Sequence, residues 1–172
     1  MTPSGQEFAA RFPHLARHCR DEDLAAILEK MTLRRLAPGE RLIEEGTLAD
    51  RVYFLLEGNL VVTLAVAMGS AEAGTFGPGT IFGEVALLDP GPATATVAAA
   101  GPASVLGLAR VAVEELRAAH PRAASSVLQA LAFVLSERIR RASDWLGELR
   151  GHAPAHRITL LGAFRALLGL PS

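Results

Sequence analysis

The sequence predicts a mainly β domain with flanking helices: an all-β barrel or sandwich, short helices before it and one long helix after it. Three observations carry this. From Met31 to Leu108 short apolar runs alternate with Gly, Pro, Asn and Asp, the texture of closely spaced strands. On either side the apolar spacing changes to three and four, the period of a helix. Half of the 172 residues are apolar and a fifth are charged, so the chain has material for a packed core.

Taken in order, Phe8, Phe12 and Leu15 predict a short helix broken near Pro13. Asp21 is expected to cap a helix over Glu22–Lys30, with Leu24, Ile27 and Leu28 on one face. The expected strands are Leu33–Leu36, Arg41–Ile43, Val52–Leu56, Leu60–Val66, Ala73–Phe76, Ile81-Phe82, Ala95–Ala100 and Val105–Leu108. Val52–Leu56 and Leu60–Val66, joined across Glu57-Gly58-Asn59, read as a hairpin. Val111–Ala119 reads as a short helix, and Pro121 suits the first turn of the next.

Arg122 to Arg150 contains no Pro and a single Gly, Gly147. At 1.5 Å per residue this stretch spans about 43 Å. Leu128, Leu131, Leu135, Ile139, Ala142, Leu146 and Leu149 form an apolar stripe along it. Such a helix overhangs a small barrel, and a homodimer through residues 122–150 is one expected cover; the chain's own tail is the other. The organisation is therefore 1–121 for the N-terminal helices and β unit, 122–150 for the long helix and 151–172 for an apolar tail helix. The tail's Ile158, Leu160, Leu161, Phe164, Leu167 and Leu168 need a docking surface, on this chain or on a protein partner.

Charge and composition exclude several functions. The net charge is −1, from 17 Lys+Arg and 18 Asp+Glu, which argues against a generally basic nucleic-acid binder. Residues 1–121 carry −5 and residues 122–172 carry +4. That asymmetry fits either a separate role for the C-terminal part or helix-surface charge. One cysteine, Cys19, excludes an internal disulfide. With no histidine between His18 and His120, the β unit offers no multi-histidine metal site, and the same absence argues against a haem sensor with a histidine ligand from the barrel. Ser104, Ser125, Ser126 and Ser136 have no nearby His-plus-acid pattern, so no catalysis is expected. The first twenty residues are interrupted by Gln6, Glu7, Arg11, His14 and Arg17, unlike a signal peptide, and no run of 18 apolar residues exists. A cytoplasmic protein without a membrane span is the expectation.

The segment most informative about function is Phe82-Gly83-Glu84-Val85-Ala86-Leu87-Leu88-Asp89-Pro90-Gly91-Pro92-Ala93-Thr94-Ala95-Thr96-Val97. A glycine and an acid leave a strand, make one apolar turn, round a Pro-Gly-Pro corner and re-enter a strand. Such a turn can present consecutive backbone N–H groups to an anion, and the carboxylate can accept from a ribose hydroxyl. From the residues alone, a ligand-gripping turn and an ordinary barrel corner are both open.

This segment resembles the phosphate-binding cassette of cyclic-nucleotide-binding domains, whose pattern is Phe-Gly-Glu-apolar-Ala-Leu followed by Pro-Arg-Ala-(Ala/Ser)-Thr. Pro38-Gly39-Glu40, Glu45-Gly46, Ala49-Asp50 and Val52-Tyr53-Phe54-Leu55-Leu56-Glu57-Gly58 resemble the family's earlier signposts. The resemblance implies a catabolite-activator-like, eight-stranded β-roll (a jelly roll), N-terminal helices and a C-terminal helix that lids the pocket or dimerises. It implies a non-catalytic regulatory or sensor module with no cofactor, whose ligand is cyclic AMP, cyclic GMP or another signalling nucleotide. Gly83 and Glu84 match the pair that receives the ribose 2′-hydroxyl, and Val85 and Ala86 match the turn whose amides face the cyclic phosphate. The family's phosphate-binding arginine follows the cassette proline, but here Pro92 is followed by Ala93. The amides of Thr94 and Ala95 can still meet a phosphate.

No arginine lies between Arg51 and Arg110 to replace it; Arg138, Arg140 and Arg141 on the long helix are the candidates to reach in. Binding is accordingly expected to be weak or atypical, and a degenerate pocket on a dimeric interaction module is the alternative. Trp145 can cap a nucleotide base or pack between helices. The 22 residues after Arg150 are too few for the winged helix-turn-helix of the family's transcription factors, so sequence-specific DNA binding is not expected.

Overall fold

The computed structural model describes residues 3–66 and 69–151, with the side chains of residues 142 and 145–151 outside that description. Three helices lead: α1 (Gly5–Arg11), α2 (Pro13–Ala16) and α3 (Asp21–Lys30). Eight strands follow: β1 (Thr32–Leu36), β2 (Arg41–Ile43), β3 (Arg51–Glu57), β4 (Leu60–Val66), β5 (Gly69–Phe76), β6 (Ile81–Phe82), β7 (Thr96–Ala99) and β8 (Ala103–Ala109). The helix α4 (Glu84–Leu88) interrupts them between β6 and β7, and α5 (Arg110–Ala119) and α6 (Pro121–Gly151) close the chain. The predicted β-roll with N-terminal helices and a long C-terminal helix is the observed architecture.

The helix boundaries have local causes. The Ser4 hydroxyl accepts from the Glu7 amide, and the Glu7 carboxylate accepts from the Ser4 amide, closing a capping box on α1. Pro13 is the first residue of α2, where its missing N–H costs nothing. Asp21 does not cap α3; it is the first helical residue. The Asp23 carboxylate instead accepts from the Arg20 amide at 3.0 Å, because a carboxylate two residues inside the first turn reaches back to the flanking N–H.

The strands form two antiparallel four-stranded sheets, in the orders β1-β8-β3-β6 and β2-β7-β4-β5. β3 and β8 sit inside the first sheet and are covered on both faces. Val52, Phe54 and Leu56 point to the helices, packing with Phe8, Phe12, Ile27, Leu116 and Leu131. Tyr53 and Leu55 point the other way, into the space between the sheets with Leu60, Val62, Phe82, Val97 and Val105. Two-sided burial is why β3 reads as a continuous apolar run rather than an alternating one.

The expected hairpin of β3 with β4 is corrected. Both edges of β3 are already taken, by β8 (Tyr53↔Gly107) and β6 (Tyr53↔Phe82), so β4 crosses to the second sheet and pairs with β5 and β7. Gly58 makes the corner: its φ is +80°, and a Cβ there would lie 2.3 Å from the Pro102 carbonyl oxygen. The true hairpin is β4–β5, from Leu60↔Phe76 to Val66↔Gly69.

The packed face of α6 also differs from the expected stripe. Ala123, Ala124, Val127, Ala130 and Leu131 are buried against the body, with Val134 partly so. Leu128 and Ile139 are 39 % and 60 % exposed. The small alanines let α6 approach closely, so they set the seam, and of the larger stripe residues described only Leu131 is fully buried. The side chains of Ala142, Leu146 and Leu149, and the tail helix expected over 151–172, lie outside the description apart from the backbone of Gly151. Among the described residues no helix is long and apolar enough to cross a membrane.

Gly58→Ala should destabilise the protein by more than about 1 kcal/mol, since it combines a left-handed backbone with a steric overlap. Urea denaturation should show a lower midpoint; an unchanged midpoint would mean that the corner relaxes freely.

Candidate functional site

The interrupted segment between β6 and β7 forms one wall of a cavity of about 270 Å³. β6 ends at Phe82, and the φ of +79° at Gly83 turns the chain out of the sheet; a Cβ there would sit 2.6 Å from the Arg51 carbonyl oxygen. The turn into α4 therefore needs glycine. Glu84 is the first residue of α4 and is 3 % exposed, while Ala86 and Leu87 anchor the short helix in the core. The first turn of a helix leaves its amides without internal acceptors, so the N–H groups of Val85 and Ala86 are free of the helical ladder. The Leu87 amide, next along, donates to the Gly83 carbonyl at 3.3 Å.

After the Pro-Gly-Pro corner the chain returns against the turn at residues 46–48. The Ala93 amide donates to the Thr47 carbonyl and the Ala93 carbonyl accepts from the Gly46 amide, both at 2.8 Å. Ala93 thus offers the cavity a methyl group and neither a charge nor a free amide. The amides of Thr94 and Ala95 find no acceptor among the described residues. All seven residues singled out from the sequence, Gly83, Glu84, Val85, Ala86, Ala93, Thr94 and Ala95, line this one cavity. Ile43, Val62, Phe82 and Val97 supply an apolar wall, and Asp89 adds a second carboxylate.

The cation comes from far along the chain. Arg138 of α6 enters the cavity wall, forms an ion pair with Glu84 through Nη1, and donates from Nη2 to the Ile81 carbonyl at 2.8 Å. The side chains of Arg138 and Glu84 are 14 % and 4 % exposed, so the pair is largely desolvated. The other two candidate arginines are elsewhere: Arg140 pairs with Glu137 on the helix surface, and Arg141 is exposed. A sequence signal for Arg138 does exist. Val127, Leu131, Val134 and Arg138 follow one another at spacings of four, three and four, so the arginine continues the packed face of α6. Arg110, at the start of α5, donates to the Ala86 carbonyl, so arginines from two helices brace α4. No local pattern in the sequence marks Arg110 for this role. The Trp145 side chain lies outside the description. Among the described residues no cluster of His, Cys, Asp and Glu could hold a metal ion.

Comparison with known proteins agrees with this geometry. The family described as the cyclic nucleotide-binding domain matches residues 33–120. Glutaminase 2 of Bradyrhizobium diazoefficiens is 32% identical over 122 residues, which cover 71% of this chain and 19% of that protein. The CRP-like cAMP-activated global transcriptional regulator of Mycobacterium tuberculosis is 26% identical over 127 residues, covering 73% of this chain and 55% of the regulator. The chain thus spans between about a fifth and about half of the length of these curated relatives. Among solved structures, the N-terminal domain of a transcriptional regulator from Streptomyces coelicolor is 30% identical, with a TM-score of 0.66, covering 79% of this chain and 93% of that one. A cyclic nucleotide-binding domain from Methylobacillus flagellatus shares the fold at 21% identity, with a TM-score of 0.76 and 92% and 90% coverage.

Arg138→Met leaves the Glu84 carboxylate buried without its cation and should cost about 3–5 kcal/mol. Adding Glu84→Gln to that variant should recover most of the loss, because the stranded charge is then gone. Denaturation of the two single variants and the double variant measures this coupling; strictly additive losses would show that the pair contributes nothing as a pair.

Proposed function

The chain belongs to the cyclic nucleotide-binding domain family, and on that premise we propose that it is a non-catalytic regulatory module whose cavity binds a cyclic or related signalling nucleotide weakly or atypically. The observation that carries this reading is that one cavity is lined by a ribose-type acceptor, Glu84, together with Val85, Ala86, Thr94 and Ala95, whose amides have no backbone acceptor among the described residues. Backbone amides arranged this way suit an anion, and the apolar wall suits a base.

Two features make the binding weak. Ala93 removes the cassette cation, and a charge-assisted hydrogen bond of that kind is worth about 1.5–3 kcal/mol, or one to two decades of affinity. Among the described residues, the ionisable groups lining the cavity are two carboxylates, Glu84 and Asp89, against the single cation Arg138.

A second reading follows from a specific observation. Glu84 is already engaged by Arg138, so a ribose hydroxyl meets an acceptor that is in use. If that engagement closes the cavity to nucleotides, the protein is a dimeric interaction module. A thermal-shift panel of cyclic AMP, cyclic GMP and cyclic dinucleotides separates the two readings. In both, the exposed Leu128 and Ile139 on α6 make this helix the dimer contact, with the half-buried Leu135 between them.

Ala93→Arg should strengthen cyclic-nucleotide binding by up to about 1.5–3 kcal/mol, and Glu84→Ala should weaken it by removing the ribose acceptor. Calorimetry on the wild type, both single variants and the double variant resolves the two effects. Absence of binding in both wild type and Ala93→Arg would favour the interaction module.

Replacing Leu135 and Ile139 together with Glu should convert dimers to monomers in light scattering. A wild-type protein already monomeric at micromolar concentration would refute the dimer.

A further inference from the structure

We infer that Arg138 is the anion-reading residue of this cavity: the cation that the cassette lacks at Ala93 is supplied from the long helix, so a nucleotide phosphate is read by α6 itself. This inference rests on the nucleotide reading above and adds to it the residue that decides charge specificity. Three observations support it.

The first is elimination within the cavity. Among the described residues, Arg138 is the one Lys or Arg side chain that lines the cavity. Arg140 is paired with Glu137, Arg141 is exposed, and Arg110 is committed to the Ala86 carbonyl.

The second is donor arithmetic. A guanidinium carries five N–H donors. Arg138 uses one of them on Glu84 and one on the Ile81 carbonyl, which leaves three unassigned among the described residues. A carboxylate likewise has more lone pairs than one hydrogen bond consumes. The ion pair can therefore stay intact while Arg138 donates to a phosphate and Glu84 accepts from a ribose hydroxyl. The pair becomes a bridge between the two polar ends of the ligand instead of an obstacle to it.

The third is burial. Arg138 is held in a largely desolvated wall by an acid and a carbonyl from two different elements, α4 and β6. Its planar fork is positioned before any ligand arrives, which lowers the ordering cost of binding an anion. An arginine on a flexible surface helix would have no such placement.

The consequence is a direct mechanical link. In a pocket whose cation sits on the cassette, the phosphate is gripped within the β-roll. Here the grip would be shared between the β-roll amides and α6, so ligand charge would reinforce the docking of the helix.

Calorimetry with cyclic AMP and cyclic GMP on the full chain tests this. Arg138→Gln should weaken whichever nucleotide the wild type binds by roughly ten- to a hundredfold. The double variant Ala93→Arg with Arg138→Gln should return affinity to within a few-fold of wild type, because the cation is restored from the cassette side. Arg138→Lys keeps a cation beside Glu84, guards against loss of the fold, and should retain more affinity than Arg138→Gln. Affinity unchanged or tightened by Arg138→Gln would overturn the inference and make Arg138 a competitor for Glu84. A loss that Ala93→Arg does not restore would overturn it too, since Arg138 would then act only by holding Glu84 and the helix. Failure of both wild type and Ala93→Arg to bind either nucleotide would instead overturn the nucleotide reading itself.

Discussion

The ion pair between Glu84 and Arg138 ties together parts of the chain 54 residues apart and places the end of the cassette under the long helix. Removing two charges from water is expensive, and their mutual attraction offsets that cost only when both are present and further hydrogen bonds satisfy them. The Ile81 carbonyl gives Arg138 such a second partner. The pair ties α4 to α6 and sets Arg138 into the wall of a cavity that is otherwise lined by the β-roll and the cassette. Everything proposed about the site depends on that constraint, because without it α6 has no polar attachment to the cassette among the described contacts.

Beneath the pair lies a frame that admits little adjustment. β3 and β8 are covered on both faces, by helices on one side and by the second sheet on the other. Interiors packed this way transmit displacement instead of absorbing it. Gly58 and Gly83 are the points where the chain leaves this frame, and each has a backbone oxygen within 2.6 Å of where a Cβ would be. One corner sends β4 to the second sheet; the other begins the cassette. The same steric requirement thus sets both the topology and the site.

The strands and the cassette are legible in the sequence for definite reasons. The strands appeared because two-sided burial writes long apolar runs into the chain, and short turns need Gly, Pro, Asn or Asp at special backbone angles. The seven cassette residues fall in two short runs, 83–86 and 93–95, within one thirteen-residue stretch, and local spacing carries their pattern. Long-range competition is not written locally. A hairpin of β3 with β4 is sound by local pattern, but the partners seated on both edges of β3 exclude it. The large residues of α6 suggested one packed face, whereas alanines at 123, 124 and 130 determine which face approaches the body.

By itself, then, the sequence determined the element order, the β-roll class and the identity of the cassette, since each is encoded in neighbouring residues. It also determined that no cation follows Pro92. Tertiary packing alone selects Arg138 from the three candidate arginines 138, 140 and 141, pairs it with Glu84, and spends the Ala93 amide on Thr47. Those outcomes depend on the rotation and height at which α6 packs against the helices and β-roll. That placement is the sum of many small contacts across distant segments, and no local pattern records it.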